Sequence, residues 1–371
     1  MLEASGVAVR YDVIKKRLYI GREGIELGFS DLIGLANLNG LYAQWFSDFV
    51  TEIAQENPSN PVADWTKSRP WDGKDRLKAF MATIEVDPEF PLRFKDLLVD
   101  RWLKSAVAAA LRDDFRSRGV LTLQGPQGCG KTSWIARLVP TELRQEFVKL
   151  DHHLDAHNKD SVIIAVSHWI TEIGELDSSF KKDIARLKGF LTNDCDKVRP
   201  PYARTAVEMR RKTVFAASVN ETNFLIDPTG NNRFWTIPVV KLDYEHAIDM
   251  QQLYAQLALE VEAGAKWWLT PEEDKLLEEH NARFKAVSVI EERLLEHLEA
   301  ERGEPRYMTA IEVLRTLGFN YPNNQQCKEC AGLLRTRYGA SKRVQGRDRW
   351  KVPIKPPEGT WQKPVSDEDE Y

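Results

Sequence analysis

One run of eight residues constrains this 371-residue chain more than any other: Gly125-Pro126-Gln127-Gly128-Cys129-Gly130-Lys131-Thr132. This is a complete GxxxxGKT. It follows the apolar run 120–123 and precedes the helical pattern 132–138, so it reads as strand, loop and helix. A loop that turns its backbone N–H groups toward one anion needs glycines free to take positive φ, and a helix opening at its end adds a favourable dipole. Gly125, Pro126, Gln127, Gly128, Cys129, Gly130, Lys131, Thr132 and Ser133 are therefore the expected phosphate cradle. Lys131 is expected to reach the β- and γ-phosphates of ATP, and the Thr132 hydroxyl to bind Mg²⁺.

The surroundings suit that loop. From about 120 to 240, short apolar runs alternate with helical stretches, which predicts an α/β core with a central parallel sheet. The strand candidates are 120–123, 168–173, 213–219 and 234–239. Hydrolysis at such a loop needs acids at the end of a neighbouring strand. Glu172 and Glu175 stand where the second run ends, one to hold Mg²⁺ with Thr132 and one to act on water; spacing does not decide between them, and Glu172 is taken as the metal ligand. The third run ends in Asn220, whose amide can bond the γ-phosphate or the attacking water.

Elsewhere, alternation at 7–11 and 17–20 predicts a small hairpin, while Leu41, Trp45, Phe49, Val50 and Ile53 recur at helical spacing. A second helix is expected over 94–111, then one each at 310–317 and 324–338. The chain is thus divided into a mostly helical domain (1–115), the core (116–245), a helical linker or lid (246–300), a small C-terminal domain (301–353) and an acidic, disordered tail (354–371). No apolar run approaches the roughly 18 residues of a membrane span, and four cysteines are too few for a disulfide framework, so a cytoplasmic protein is expected. The His152, His153 and His157 cluster and the Cys327/Cys330 pair lack zinc-site partners, and Trp134, Trp267 and Trp268 read as core aromatics.

Trp169 to Leu176, Arg199-Pro200-Pro201-Tyr202-Ala203-Arg204, the Asn220 strand and Asp227-Pro228-Thr229-Gly230-Asn231-Asn232-Arg233-Phe234-Trp235 resemble the virulence-associated E family. So do Asn60-Pro61-Val62 and Trp71-Asp72-Gly73-Lys74-Asp75-Arg76-Leu77, so the likeness runs from about 57 to 240. These are P-loop ATPases of phages and phage satellites, related to superfamily 3 replicative helicases. The resemblance implies an AAA+-like core, a homo-hexameric ring, Mg-ATP hydrolysis and action on single-stranded or forked DNA, with host replication proteins as further partners. It implies Walker A roles for Lys131 and Thr132, Walker B roles for Glu172 and Glu175, and a sensor role for Asn220. Arg233 matches an arginine finger that acts on a neighbouring subunit. Asn232 departs from the family's usual arginine pair, which leaves Arg199 and Arg204 as alternative fingers.

The formal charge of −4 gives no global reason to expect a polyanion, so a DNA surface must be local. Lys181, Lys182, Arg186, Lys188, Lys197, Arg199, Arg204, Arg210 and Arg211 crowd the segment between the acids and Asn220. There the resemblance implies a pore hairpin carrying Lys197, Arg199, Tyr202 and Arg204. A second basic cluster, Arg335, Arg337, Lys342, Arg343, Arg347, Arg349 and Lys351, belongs to a winged-helix-like C-terminal domain, read as either a DNA-binding or a packing module. The expectation is an ATP-dependent DNA helicase of a phage or mobile element. An ATP-switched origin-binding or helicase-loading protein is the first alternative. The second is a non-enzymatic DNA-binding regulator, which Asn232 favours and the intact GKT opposes.

Overall fold

A computed structural model describes residues 1–41, 46–174, 176, 186–198, 207–225, 231–285, 288–300 and 305–354, in two compact units, Met1–Lys285 and Ala286–Tyr371. The expected N-terminal hairpin forms as β1 (Val7–Asp12) antiparallel to β2 (Arg17–Arg22). With β3 (Ile25–Glu26) and β4 (Pro58–Ser59) they make a sheet in the order β3-β2-β1-β4. Helix Phe46–Glu56 packs here through Phe46, Val50 and Ala54, leaving Phe49 and Ile53 exposed. The helix has two apolar stripes, and the one with the small Ala54 lies in the core with Val7, Val9 and Ile20. Trp45 lies outside the described residues.

The main sheet contains β5 (Ile84–Val86), β6 (Val120–Gln124), β7 (Val148–His152) and β8 (Ile170–Ile173). A separate two-stranded hairpin, β9 (Cys195–Val198) and β10 (Val207–Arg210), precedes the last two sheet strands, β11 (Val214–Val219) and β12 (Phe234–Leu242). The order is β5-β12-β6-β11-β8-β7, parallel except for the antiparallel edge β5. Strands buried on both faces read as continuous apolar runs, which is why β6, β11 and β12 match the sequence pattern. The edge strands β5 and β7 escaped it; β7 reads Val-Lys-Leu-Asp-His, half polar because only part of it is covered.

Helix Leu92–Leu111 lies in the core with the sheet, and two buried indoles tie it to strands. Trp102 Nε1 donates to the Phe215 carbonyl of β11 (2.7 Å), and Trp169 Nε1, just before β8, donates to the Ala106 carbonyl (2.8 Å). The Trp169 ring also meets Trp65, Phe147 and Tyr254 edge-on at centroid distances of 6.1, 6.3 and 4.9 Å. Trp134 is buried as expected and donates to Thr83 Oγ1 (2.9 Å), whereas Trp268 is 38% exposed beside the buried Trp267. Because the sheet is parallel, the C-terminal ends of β6, β11 and β8 meet on one edge.

In the second unit, helix Val289–Ala300 is followed by β13 (Arg306–Met308), helices Ala310–Thr316 and Asn324–Tyr338, β14 (Lys342–Val344) and β15 (Arg347–Val352). The strands pair in the order β13-β15-β14. Ile290 and Leu294 share a core with Val313, Leu314, Leu334 and Trp350, so this first helix folds with the C-terminal unit and not with residues 246–285. Cys330 is buried in the same core. The acidic segment 355–371 lies outside the described residues. A Trp169→Ala substitution removes a fully buried ring and an indole hydrogen bond; we expect a loss of about 3–5 kcal/mol, measured as a lower denaturant midpoint.

Candidate functional site

The loop after β6 adopts the conformation its glycines permit: φ is +84° at Gly128 and +95° at Gly130, values strained for any residue with a Cβ. Gly125 is needed for a different reason, since a Cβ there would run into the Val239 carbonyl of β12. Its N–H donates to the Val219 carbonyl of β11 (3.0 Å), so the loop is anchored to the strand on one side and closely packed on the other. Lys131 opens helix Lys131–Ala136 and is buried. Its ammonium donates to the carbonyls of Gly125 (2.7 Å) and Pro126 (2.9 Å) and to Asn220 Oδ1 (2.9 Å), with Cys129 Sγ at 3.8 Å. Asn220 is exposed just past the end of β11.

Glu172 lies in β8 and is wholly buried. The Thr132 hydroxyl donates to its Oε1 (2.7 Å), and the Asp151 N–H, on the neighbouring β7, donates to Oε2 (3.2 Å). Burial raises the carboxyl pKa above the ordinary glutamate value, while the bonds from Thr132, Asp151 and Ser218 partly offset the rise. Asp151 has a positive φ of 47°, and Gly174 passes so close to it that a Cβ would strike the Asp151 carboxylate. The sequence reading missed Ser218 and Asp151. A signal for Ser218 existed: it stands two residues before Asn220, so strand alternation puts both on one face.

Four predicted residues, Lys131, Thr132, Glu172 and Asn220, thus converge at one edge of the sheet. Glu175 lies outside the described residues. Arg233 is not with them. It closes the turn Asn231–Arg233 before β12, and Phe234 pairs with Val120, the opposite end of β6 from the loop. There it lines a cleft of about 700 Å³ with Arg116, Arg118, Asn232 and Trp268.

The basic segment divides sharply. Lys197 is exposed on β9, and β9 and β10 pair antiparallel from Cys195↔Arg210 to Val198↔Val207, so a hairpin is present. Arg199, Tyr202 and Arg204, which come between the two strands in sequence, are outside the described residues, and so are Lys181 and Lys182. Arg211, by contrast, is 1% exposed and is no DNA-facing cation. It forms an ion pair with Asp196, lies over the rings of Phe190 (4.6 Å) and Phe215 (5.4 Å), and donates to the Phe190 carbonyl (2.5 Å). The second cation on Asp196 is Lys16, from the turn between β1 and β2, at 2.8 Å and also buried. Burial alone would raise the Asp196 pKa, but Arg211 and Lys16 together hold it below the usual aspartate value. In the C-terminal unit, Arg343 and Arg347 are exposed on either side of a turn at Gln345-Gly346, where both residues have positive φ (51° and 76°). Arg349 is instead paired with Glu312 at 3.2 Å.

The family model of the virulence-associated protein E-like domain matches residues 66–286. Among curated proteins, no sequence matches the chain. Among solved structures, an A-form apo structure of the NrS-1 C-terminal region is similar at 14% identity, covering 95% of this chain and 98% of that one with a TM-score of 0.44. A second apo structure of the same region is similar at 16% identity, covering 95% and 97% with a TM-score of 0.40. No described helix is long and apolar enough to cross a membrane.

Two measurements probe the site. Asp196→Asn leaves two buried cations without their anion, so a loss of about 3–5 kcal/mol is expected in denaturant titration. Because the folded pKa of Asp196 is depressed, the wild-type advantage is present above the ordinary value of 3.8 and fades as pH falls below it. Glu172 is shifted the other way, and its raised pKa means that any divalent-cation affinity this carboxylate carries would rise as pH climbs above 4.5 and it ionises. Isothermal titration of Mg²⁺ with nucleotide across pH should show that slope in the wild type and lose it in Glu172→Gln.

Proposed function

This chain belongs to the virulence-associated protein E-like family, the matched domain covering more than half of it, and on that premise we propose an ATP-dependent DNA helicase of a phage or mobile element. The observation that carries the reading is the joining of Thr132 to Glu172 at 2.7 Å and of Lys131 to Asn220 at 2.9 Å, across three neighbouring strands. An AAA+-like core is supported by the order β6-β11-β8, which sets the loop strand, the asparagine strand and the acid strand side by side.

The residues fit a Mg-nucleotide. Thr132 and Glu172 offer a hydroxyl and a carboxylate, the hard oxygen donors that Mg²⁺ takes. Mg²⁺ bound there supplies charge neutralisation for the β- and γ-phosphates. The loop N–H groups bind and orient the phosphate chain, and Lys131, already poised between loop carbonyls and Asn220, supplies a mobile positive charge. Asn220 holds the γ-phosphate or the attacking water, and Glu175 is the proposed partner for that water. Arg233, at the far end of β6, suits a role in trans: it serves the nucleotide of an adjacent subunit in a ring, for which a homo-hexamer is proposed.

DNA is the proposed polyanion. Lys197 on the hairpin, with Arg199, Tyr202 and Arg204, provides sequence-independent phosphate and stacking contacts. The C-terminal unit, with strand β13, two helices and the β14–β15 ribbon, supports a winged-helix reading in which Arg343 and Arg347 flank the wing turn. In the proposed division, residues 1–115 brace the hairpin of the 116–245 core through Lys16, and residues 286–371 form a separate compact unit.

Lys131→Ala should abolish ATP hydrolysis while leaving the protein folded by circular dichroism, and displacement of a forked duplex should disappear with it. Retained hydrolysis would sink the reading. Arg233→Ala alone should also be inactive. Mixing it with Lys131→Ala should restore part of the hydrolysis, because mixed rings contain interfaces with both residues intact; no recovery removes Arg233 from a trans role.

A further inference from the structure

The phosphate loop reads phosphate through its backbone and carries nothing that distinguishes a nucleotide from an inorganic polyphosphate. The base has to lie on a neighbouring surface. After β12 the chain turns across the loop: the Leu242 N–H donates to the Cys129 carbonyl (3.1 Å), and the Asp243 N–H donates to the Thr83 carbonyl (2.9 Å). Tyr244 comes next. Its ring edge lies 2.7 Å from where a Cβ on Gly130 would stand, so the ring rests directly against the loop. It is nevertheless 41% exposed.

The segment beyond the ring is also held. Glu245 N–H donates to Asp243 Oδ1 (3.1 Å), and His246 is buried, its ring edge-on to Phe80 at 5.7 Å. Arg137, at the end of the helix that Lys131 opens, donates to the His246 carbonyl (3.5 Å). Tyr244 is therefore an aromatic side chain on an anchored backbone that touches the phosphate loop and still offers surface to solvent. Other exposed aromatics among the described residues, Phe49, Trp268 and Tyr321, are on other parts of the chain.

Resting on the nucleotide reading above, we propose that Tyr244 is the platform on which the nucleobase of the bound nucleoside triphosphate stacks. Stacking on a tyrosine face requires only a π-system, so the platform adds affinity for any nucleotide over bare phosphate and discriminates weakly among bases. The bland alternative is that the ring merely covers Gly130. A cover acts on the loop and hence on all phosphate ligands alike, whereas a platform acts only on ligands with a base.

Isothermal titration separates the two, using ATP and inorganic tripolyphosphate, each with Mg²⁺, on the full chain. Tyr244→Ala and Tyr244→Leu should weaken ATP roughly tenfold or more and leave tripolyphosphate unchanged. Tyr244→Phe keeps the π face and should bind both as the wild type does. The leucine variant retains apolar bulk over Gly130, so it reports on stacking even if the alanine variant disturbs the loop. Unchanged ATP affinity in both Ala and Leu variants, or equal weakening of the two ligands, overturns the platform. A wild-type protein that binds neither ligand overturns the nucleotide reading itself, and with it the platform, and is a different result from either.

Discussion

The buried carboxylate of Glu172 is the constraint around which the site is arranged. A carboxylate with no exposure to water is costly unless its oxygens are bonded, and here the donors come from three separate segments: Thr132 after the loop, the Asp151 N–H on β7 and Ser218 on β11. Satisfying that one group fixes the register of β7, β8 and β11 at their C-terminal ends and seats the start of the helix after the loop. A Cβ on Gly174 would meet the Asp151 carboxylate, so glycine leaves that side chain its place beside the site. The loop's own conformation depends less on this carboxylate than on Gly125, which is squeezed between β11 and β12.

The site was legible in sequence to the extent that its chemistry is local. GKT, the acid at the end of one apolar run and the amide at the end of another are short-range patterns, and Lys131, Thr132, Glu172 and Asn220 all converge. What escaped is what depends on distant partners. β7 was passed over because its Lys-Leu-Asp-His pattern suits a strand only when β8 is beside it. β9 contains Cys-Asp-Lys, a poor strand sequence by propensity that only the family resemblance marks as part of a hairpin, and it is held by Lys16 from 180 positions away. The helix at Phe46–Glu56 had two apolar stripes, and nothing within eleven residues tells which one faces a sheet.

That distant lysine also changes how the N-terminal sheet is understood. Lys16 has a positive φ of 55° in the turn between β1 and β2, an uncommon conformation for a lysine, and its ammonium is driven into a dry site with its pKa lowered by burial. Tyr11 adds a second link, its hydroxyl 2.8 Å from Met209 Sδ on β10. Both strands of the hairpin are thus gripped at their base by residues from the first twenty of the chain. The sheet formed by β1 to β4 is accordingly a brace for the hairpin.

The same ion cluster corrects a natural misreading of charge. Counting Lys and Arg along the basic segment treats every cation as available to a polyanion, but Arg211 is internal and spends its charge on Asp196, just as Arg349 is taken by Glu312 in the C-terminal unit. Among the described members of the two basic clusters, Lys188 is buried as well, whereas Lys197 and Arg210 on the hairpin and Lys342, Arg343, Arg347 and Lys351 on the C-terminal ribbon are exposed. Buried cations shape the scaffold and exposed ones meet ligands, so the number of positive charges in a segment says little about binding until each has been assigned a partner. The net charge of −4 over the whole chain therefore does not settle whether a local surface is cationic, because the cations that build the hairpin's base and those exposed on its strands answer to different constraints.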